Sequence, residues 1–489
     1  MFLLDHPDPL ALCGILLLSP LLFLCFYPSQ SGLPLINPKK KLEISDKTSK
    51  IQFVTNARGL IEAGLQKSNI FRLLSDNGCR IILSPKYANE IRSHPALSFG
   101  KAVAKEFHTY IPGFEPFKQT SSSENIFQDA VRMKLTQALG QVTKPLTEEM
   151  TTSVLKIVAR LSSKVFLGDK ICRNPDWLRI TVDYTVDSFR AAEILRMWPR
   201  VLRPVVAWFS EDCRRLRSEL QEARDIIAPV LEERRVEKEA ALRDGRKPQR
   251  HVDAMEWMEE SAKGRPYDPA VGQLMFSVAA IHTTSDMLTQ ALYDLCGREQ
   301  LIQEMREEVI SVISAEGWKK TALYKLQLMD SMLKESQRLK PINITSMRRL
   351  AIDNIRLNDG TKIPKNSYLL VANERMWNPK FYQNPDTFDA YRFLNLRKVS
   401  GHETSAQLVA PSPEHMGFGL GKHACPGRFF AANEAKIALC HILLKYDLKA
   451  ADGPAPQIRK YGLSVNADPL AKVMIRRRKE EIVLEEIAA

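Results

Sequence analysis

No C-x-x-C pair and no dense cysteine framework occurs in the 489 residues; the eight cysteines stand apart at positions 13, 25, 79, 172, 213, 296, 425 and 440. That pattern excludes a disulfide scaffold, fits a reducing compartment, and leaves most of these thiols as small apolar residues. No Gly/Ser-rich linker, internal repeat or low-complexity tract divides the chain, so one large, mostly helical domain is expected. No G-x-G-x-x-G follows a strand-like segment, which leaves nicotinamide and flavin without a binding loop. Charge is not concentrated either. The 70 basic and 57 acidic residues leave +13, but the densest run, EERRVEKEAALRDGRKPQRH from Glu232 to His251, alternates in sign. It reads as a solvated helix and loop, and no nucleic-acid motif accompanies it. What the chain does have is apolar content, 44% of its residues, enough for a substantial core.

The longest uncharged run lies at the start, PLALCGILLLSPLLFLCFY from Pro9 to Tyr27. It is just long enough to cross a bilayer as a helix. Asp5 and Asp8 precede it and no A-x-A follows, which argues against a cleaved signal peptide. Lys39, Lys40 and Lys41 come after it, so the rest of the chain is expected on the cytosolic side. The expected organisation is an anchor at 1–28, a proline-containing linker at 29–45 and one domain at 46–489.

Short apolar runs with turn signals between Leu42 and Leu83 suggest a small sheet beside the anchor. From Asn125 to Leu339 a 3.6-residue periodicity dominates. IRLNDGTKIPKNSYLLVA then reads as strand, turn and strand, with Asp359-Gly360 at the turn. The stretch FGLGKHACPGRFF, Phe418 to Phe430, places Cys425 between a glycine-rich loop and a helix start. With Pro426 at the first helical position, Cys425 is expected at the N-cap, with the N–H groups of Gly427 and Arg428 facing its sulfur. Gly419, Gly421 and Gly427 would let the backbone approach something large and flat. The same residues also suit an ordinary helix start capped by a cysteine.

FGLGKHACPG resembles the haem-binding signature F-x-x-G-x-x-x-C-x-G of the cytochrome P450 monooxygenases, matched at Phe418, Gly421, Cys425 and Gly427. The resemblance implies a mainly α fold with small β-sheets and haem b, with Cys425 as the iron ligand and Phe418 packed nearby. His423 stands where the family often has an arginine reaching a haem propionate. Glu335 and Arg338 of KESQR fall in the family's E-x-x-R spacing, completed by Arg392 of FDAYRF. Taken bare, such a pair is a routine surface ion pair. Arg348, with Arg349 beside it, stands where a propionate arginine is expected, and Arg132 is a further one. In AAIHTT the resemblance gives Thr283 the role of the proton-delivering alcohol on a helix above the haem, while His282 replaces the usual acid and Ala280 the usual glycine. Taken bare, this is a buried helix whose histidine satisfies a carbonyl. Ala279, Ala280, Ile342, Ile344 and Thr345 are the expected pocket residues.

The implied activity is hydroxylation or epoxidation of a hydrophobic small molecule, most like filamentous-fungal enzymes that oxidise terpenoid scaffolds. The implied setting is an endoplasmic-reticulum membrane, with a separate NADPH–cytochrome P450 reductase docking on Lys422 and Arg428 and no nucleic acid. A haem-thiolate isomerase or dehydratase that uses no dioxygen is one alternative. A membrane-tethered haem or lipid binder without turnover is another; it would need neither Thr283 nor Cys425.

Overall fold

The computed structural model describes residues 32–39, 43, 46–121, 126–135, 137–139 and 154–487. The anchor expected at 1–28 and much of the linker at 29–45 lie outside the described residues. Among those described, no helix is long and apolar enough to cross a membrane.

Helices of nine residues or more are labelled in chain order. Helix α1, Lys47–Lys67, buries Phe53, Ala57, Leu60, Ile61 and Gly64, a helical spacing along one face. It occupies much of the stretch expected to be sheet, which begins only at β1, Ile70–Ser75, followed by β2, Gly78–Leu83, and β3, Leu97–Ser98. The helical body follows with α2 (Val154–Ile171), α3 (Pro175–Arg196), α4 (Glu211–Arg243), α5 (Ala254–Ala262), α6 (Pro269–Leu295), α7 (Glu299–Glu316) and α8 (Gln327–Leu339). Strands β4 (Thr345–Ala351), β5 (Ile355–Arg356), β6 (Lys362–Ile363) and β7 (Tyr368–Ala372) come next. The chain closes with α9 (Arg428–Lys445), β8 (Tyr446–Ala450), β9 (Arg459–Tyr461), β10 (Ser464–Asn466) and β11 (Val473–Arg477).

Caps explain where the helices start. Asn174 accepts from the N–H groups of Asp176 and Trp177 ahead of α3, and Asp268 from that of Val271 ahead of α6; each helix begins with a proline. Helix α6 is buried without a break from Ala270 to Val278, so it runs through the core with no polar face there. The five-stranded sheet has the order β1-β2-β7-β4-β3, with β2 and β7 parallel and the other pairs antiparallel. The β5–β6 hairpin turns at Gly360, whose φ of 85° needs glycine.

One surface stands out. Between α3 and α4, Met197, Trp198, Val201, Val205, Trp208 and Phe209 are exposed, Met197 by 84% and Val201 by 83%. Arg196, at the edge of this patch, pairs with Asp76 at 2.9 Å in the β1–β2 turn. Asn37 donates to the Leu74 carbonyl at 2.8 Å beside the same turn. The apolar patch therefore lies at the end of the molecule where the described chain begins.

Candidate active site

The cysteine loop is held by its own backbone. The Cys425 N–H donates to the Phe418 carbonyl at 2.8 Å and the Ala424 N–H to that of Gly421 at 2.9 Å. Gly419 and Gly421 have φ of 73° and 74°, where a side chain is strained. A Cβ on Gly421 would lie 2.4 Å from the Cβ of Arg92 and 2.6 Å from its carbonyl oxygen. Only Gly427 faces space, its nearest contact being Val131 Cγ1 at 4.0 Å. The close approach expected of three glycines thus belongs to Gly427, while Gly419 and Gly421 shape the turn. Cys425 is not the N-cap of α9 either. The helix starts at Arg428 with Gly427 as cap, because the Arg428 N–H turns back on the Cys425 carbonyl at 3.5 Å before helical bonding begins.

The N–H groups of Gly427 and Arg428 still bond the sulfur, and with the Arg428 charge they favour the thiolate. Burial outweighs them and pushes the Cys425 thiol above its ordinary range. A cation bound at this sulfur would stabilise the thiolate and release the proton to solvent, which is the behaviour of a metal ligand. Among the described residues, no group of three or more His, Cys, Asp or Glu is arranged to hold a bare ion.

Next to the loop lies an excess of positive charge. His423 is pushed down to about 4, first by burial and then by Arg349, Lys422 and Arg132, with no carboxylate acting on it. Arg132 donates to the Lys422 carbonyl at 2.6 Å. Arg349 is 2% exposed, and its Nε and Nη2 have no partner among the described residues. Burial lowers this guanidinium to about 10. Buried N–H donors without acceptors beside two further cations form a receptor for an anion, and the carboxylates of haem fit it.

Arg348, the expected propionate arginine, goes elsewhere. Its pKa is raised by Tyr368 and Glu106, and the Glu106 carboxylate is itself held by Arg80 at 3.1 Å and by the Tyr368 hydroxyl at 2.5 Å. The cause is a bulge in β4 between Ser346 and Arg349, with Met347 at φ 53°. A bulge adds one residue and changes which side chain faces which side, and here it is Arg349 whose charge acts on His423.

On α6, Thr283 is exposed although the helix around it is buried, and Ala279 and Ala280 share its open stripe. The Thr283 hydroxyl donates to the Ala279 carbonyl at 2.8 Å, with the Ala280 carbonyl at 3.3 Å. His282 lies about 100° further round the helix. Its Nε2 meets the Val182 carbonyl of α3 at 3.1 Å, and burial lowers its pKa. The imidazole that stands in the place of the usual acid therefore ties α6 to α3. Of the other expected pocket residues, Ile342 is half-buried. Ile344 packs with Phe53, Leu463 and Val465, and Thr345 is buried in register with Ala372, so neither reaches the open stripe.

Glu335 and Arg338 form no surface pair. Both side chains are fully buried, joined by two bonds of 2.8 Å. Arg392 reaches both Glu335 oxygens at 3.1 Å, and Arg338 donates to the Met376 carbonyl at 2.6 Å. Sequence reasoning missed Asp330 and Lys334 on the same helix, both buried, and Glu434 on α9. Glu434 accepts from Ser162 at 2.7 Å and is pushed up to about 8 by burial. For Glu434 the signal was a charge inside the largely apolar α9, whereas α8 is mostly polar in sequence and gave none for Asp330 and Lys334.

Comparison with known proteins agrees with this geometry. The Cytochrome P450 family matches residues 91–473. The chain is 50% identical to the cytochrome P450 monooxygenase adrA of Penicillium rubens, over 98% of both chains. It is 47% identical to the cytochrome P450 monooxygenase trt6 of Aspergillus terreus, over 96% of both. In fold it resembles the crystal structure of the cytochrome P450DA heme domain, with TM-score 0.64 and 18% identity, over 91% of this chain and 97% of that one.

Proposed function

This chain belongs to the cytochrome P450 monooxygenases, and from that premise we propose that it hydroxylates or epoxidises a bulky terpenoid-type metabolite. The family is a haem-thiolate family, and the closely similar chains are cytochrome P450 monooxygenases of Penicillium and Aspergillus. The observation that carries the reading is the open stripe of Ala279, Ala280 and Thr283 on an otherwise buried helix. Two methyl groups and one hydroxyl leave room for a large apolar ligand and supply a single proton-bearing group.

Cys425 would hold the iron, and Arg349, Arg132 and His423 the haem carboxylates. When bound, haem supplies the activation of dioxygen and the transfer of one oxygen atom to a C–H or C=C bond. The N–H groups of Gly427 and Arg428 spread the charge on the sulfur. The Thr283 hydroxyl holds its proton on the Ala279 carbonyl and can present it to the open side by rotating about χ1.

Electrons come from a separate NADPH-dependent reductase, since the sequence has no nucleotide-binding loop. Its docking site is the cationic rim of Lys422 and Arg92, both exposed. Arg428 is excluded from that rim because its guanidinium is taken by the carbonyls of Val409 and Cys425. The chain is divided into a membrane anchor at 1–28, a linker at 29–45 and the haem domain from 46 onward, on the cytosolic face of the endoplasmic reticulum. Support comes from the uncharged run Pro9–Tyr27 and from the apolar patch at the end where the described chain begins.

The test is spectroscopic. Carbon monoxide on the reduced protein should give the red-shifted Soret band of a thiolate ligand, lost in Cys425→Ala. A library of terpenoids should then produce substrate-type shifts. A histidine-type spectrum overturns the site, and shifts only with ligands of another class overturn the substrate assignment.

A further inference from the structure

Among the buried charges of α8, Lys334 is the one whose charged end meets no carboxylate within hydrogen-bond reach among the described residues. It is 2% exposed and immediately precedes Glu335. Its ammonium donates to the carbonyls of Ser405 at 3.1 Å, Gln407 at 2.7 Å and Ala410 at 3.2 Å, and lies 4.8 Å from the Phe393 ring centre. Three N–H donors thus meet three acceptors, all from one stretch of six residues. Two other bonds complete the hold on that stretch. Asp330 accepts from the Leu408 N–H at 2.9 Å, and the Val409 carbonyl accepts from Arg428 Nε at 3.0 Å. The other arm of Arg428 donates to the Cys425 carbonyl at 2.9 Å, and its charge acts on the Cys425 sulfur. A continuous path of hydrogen bonds and backbone runs from Lys334 through residues 405–410 and Arg428 to Cys425.

We propose that Lys334 is a positioning residue for the cysteine ligand: by gathering three carbonyls it fixes Val409, Val409 fixes Arg428, and Arg428 tunes how strongly the sulfur donates electrons. The inference rests on the haem-thiolate reading above. Arg428 carries a positive charge beside the sulfur, so a fixed Arg428 makes the sulfur a weaker donor, and a loosened one makes it stronger. Without an ammonium at position 334, three buried carbonyls lose their donor together and the stretch has no reason to keep this shape.

The experiment uses the full-length, haem-loaded protein and compares Lys334→Met with Lys334→Arg. Three quantities are read: the haem midpoint potential, the persistence of the thiolate-type carbon monoxide band, and the thermal transition. In protein stripped of haem, the pH at which Cys425 is half-alkylated is followed by mass spectrometry. For Lys334→Met the potential should move to more negative values, the thiolate band should decay severalfold faster, and the alkylation midpoint should rise. Lys334→Arg, which keeps a charged donor, should recover most of each change. A lower thermal transition with unchanged potential and alkylation profile reduces Lys334 to a structural clamp and overturns the proposal. If Lys334→Met fails to load haem, Arg428→Met decides: it must shift the potential the same way, and an unchanged potential again overturns the proposal. Absence of a thiolate band in the unsubstituted protein is a separate result, since it defeats the haem reading before any variant is made.

Discussion

Arg348 and Arg349 are neighbours with opposite duties, and substitution should separate them. Arg349→Ala removes a guanidinium whose single internal bond among the described residues is Nη1 to the Arg348 carbonyl, so folding should change little while haem affinity falls by about 2 kcal/mol, roughly thirtyfold. Arg348→Ala should leave haem affinity intact and lower the thermal transition, because Glu106 loses one of its cations. Haem titration and calorimetry on both variants check the assignment. Thr283→Ala should keep haem and its reduction but uncouple turnover, with peroxide appearing in place of product, at a stability change of about 1 kcal/mol. Undiminished coupling would count against the hydroxyl as proton source. Glu434 gives a pH signature. Its folded-state pKa of about 8 lies above the ordinary 4.5, so between those values the folded protein holds the extra proton and stability falls as pH rises. Glu434→Gln removes that slope, and its thermal transition should exceed that of the unsubstituted protein by a margin that widens from pH 5 to pH 8.

At the scale of the element, the cysteine loop makes its own test. Gly421→Ala combines a φ of 74° with a collision against the Arg92 backbone, so the loop must move and the haem should not be retained. Gly427→Ala faces open space and should fold normally, losing haem affinity only because the new methyl occupies the approach. Absorbance and thermal melting distinguish the two. Apart from α1, which took much of a stretch read as sheet, regular backbone was the part legible in the sequence: the helical body, the hairpin and strand between Ile355 and Ala372, and the three-residue spacing of Glu335 and Arg338. Irregular backbone was not. The bulge at Met347 shifted the register of Arg348 and Arg349, and the turn at Pro426-Gly427 moved the start of α9 past Cys425. His282 was ambiguous for another reason. A helix buried all round has no polar face to show which way a side chain points, and only packing against α3 set it.

For the whole molecule, deleting residues 1–28 should release the protein from carbonate-washed membranes with its haem intact, since every site residue lies later in the chain. The truncated form should still float with liposomes, because Met197, Val201, Trp208 and Phe209 remain exposed; serine at these four positions should abolish flotation. Flotation unaffected by the four serines would remove the patch from the membrane account. Helix α8 has a consequence for the order of assembly during synthesis. Asp330, Lys334, Glu335 and Arg338 take partners from between Met376 and Lys436, a segment that leaves the ribosome after the helix is complete. Until it arrives, burying these side chains would leave charges uncompensated, so the helix must wait in water. The support behind the sulfur is therefore completed only late in synthesis, and a nascent chain that ends before Lys436 gives a chaperone or protease an open, charged helix to find.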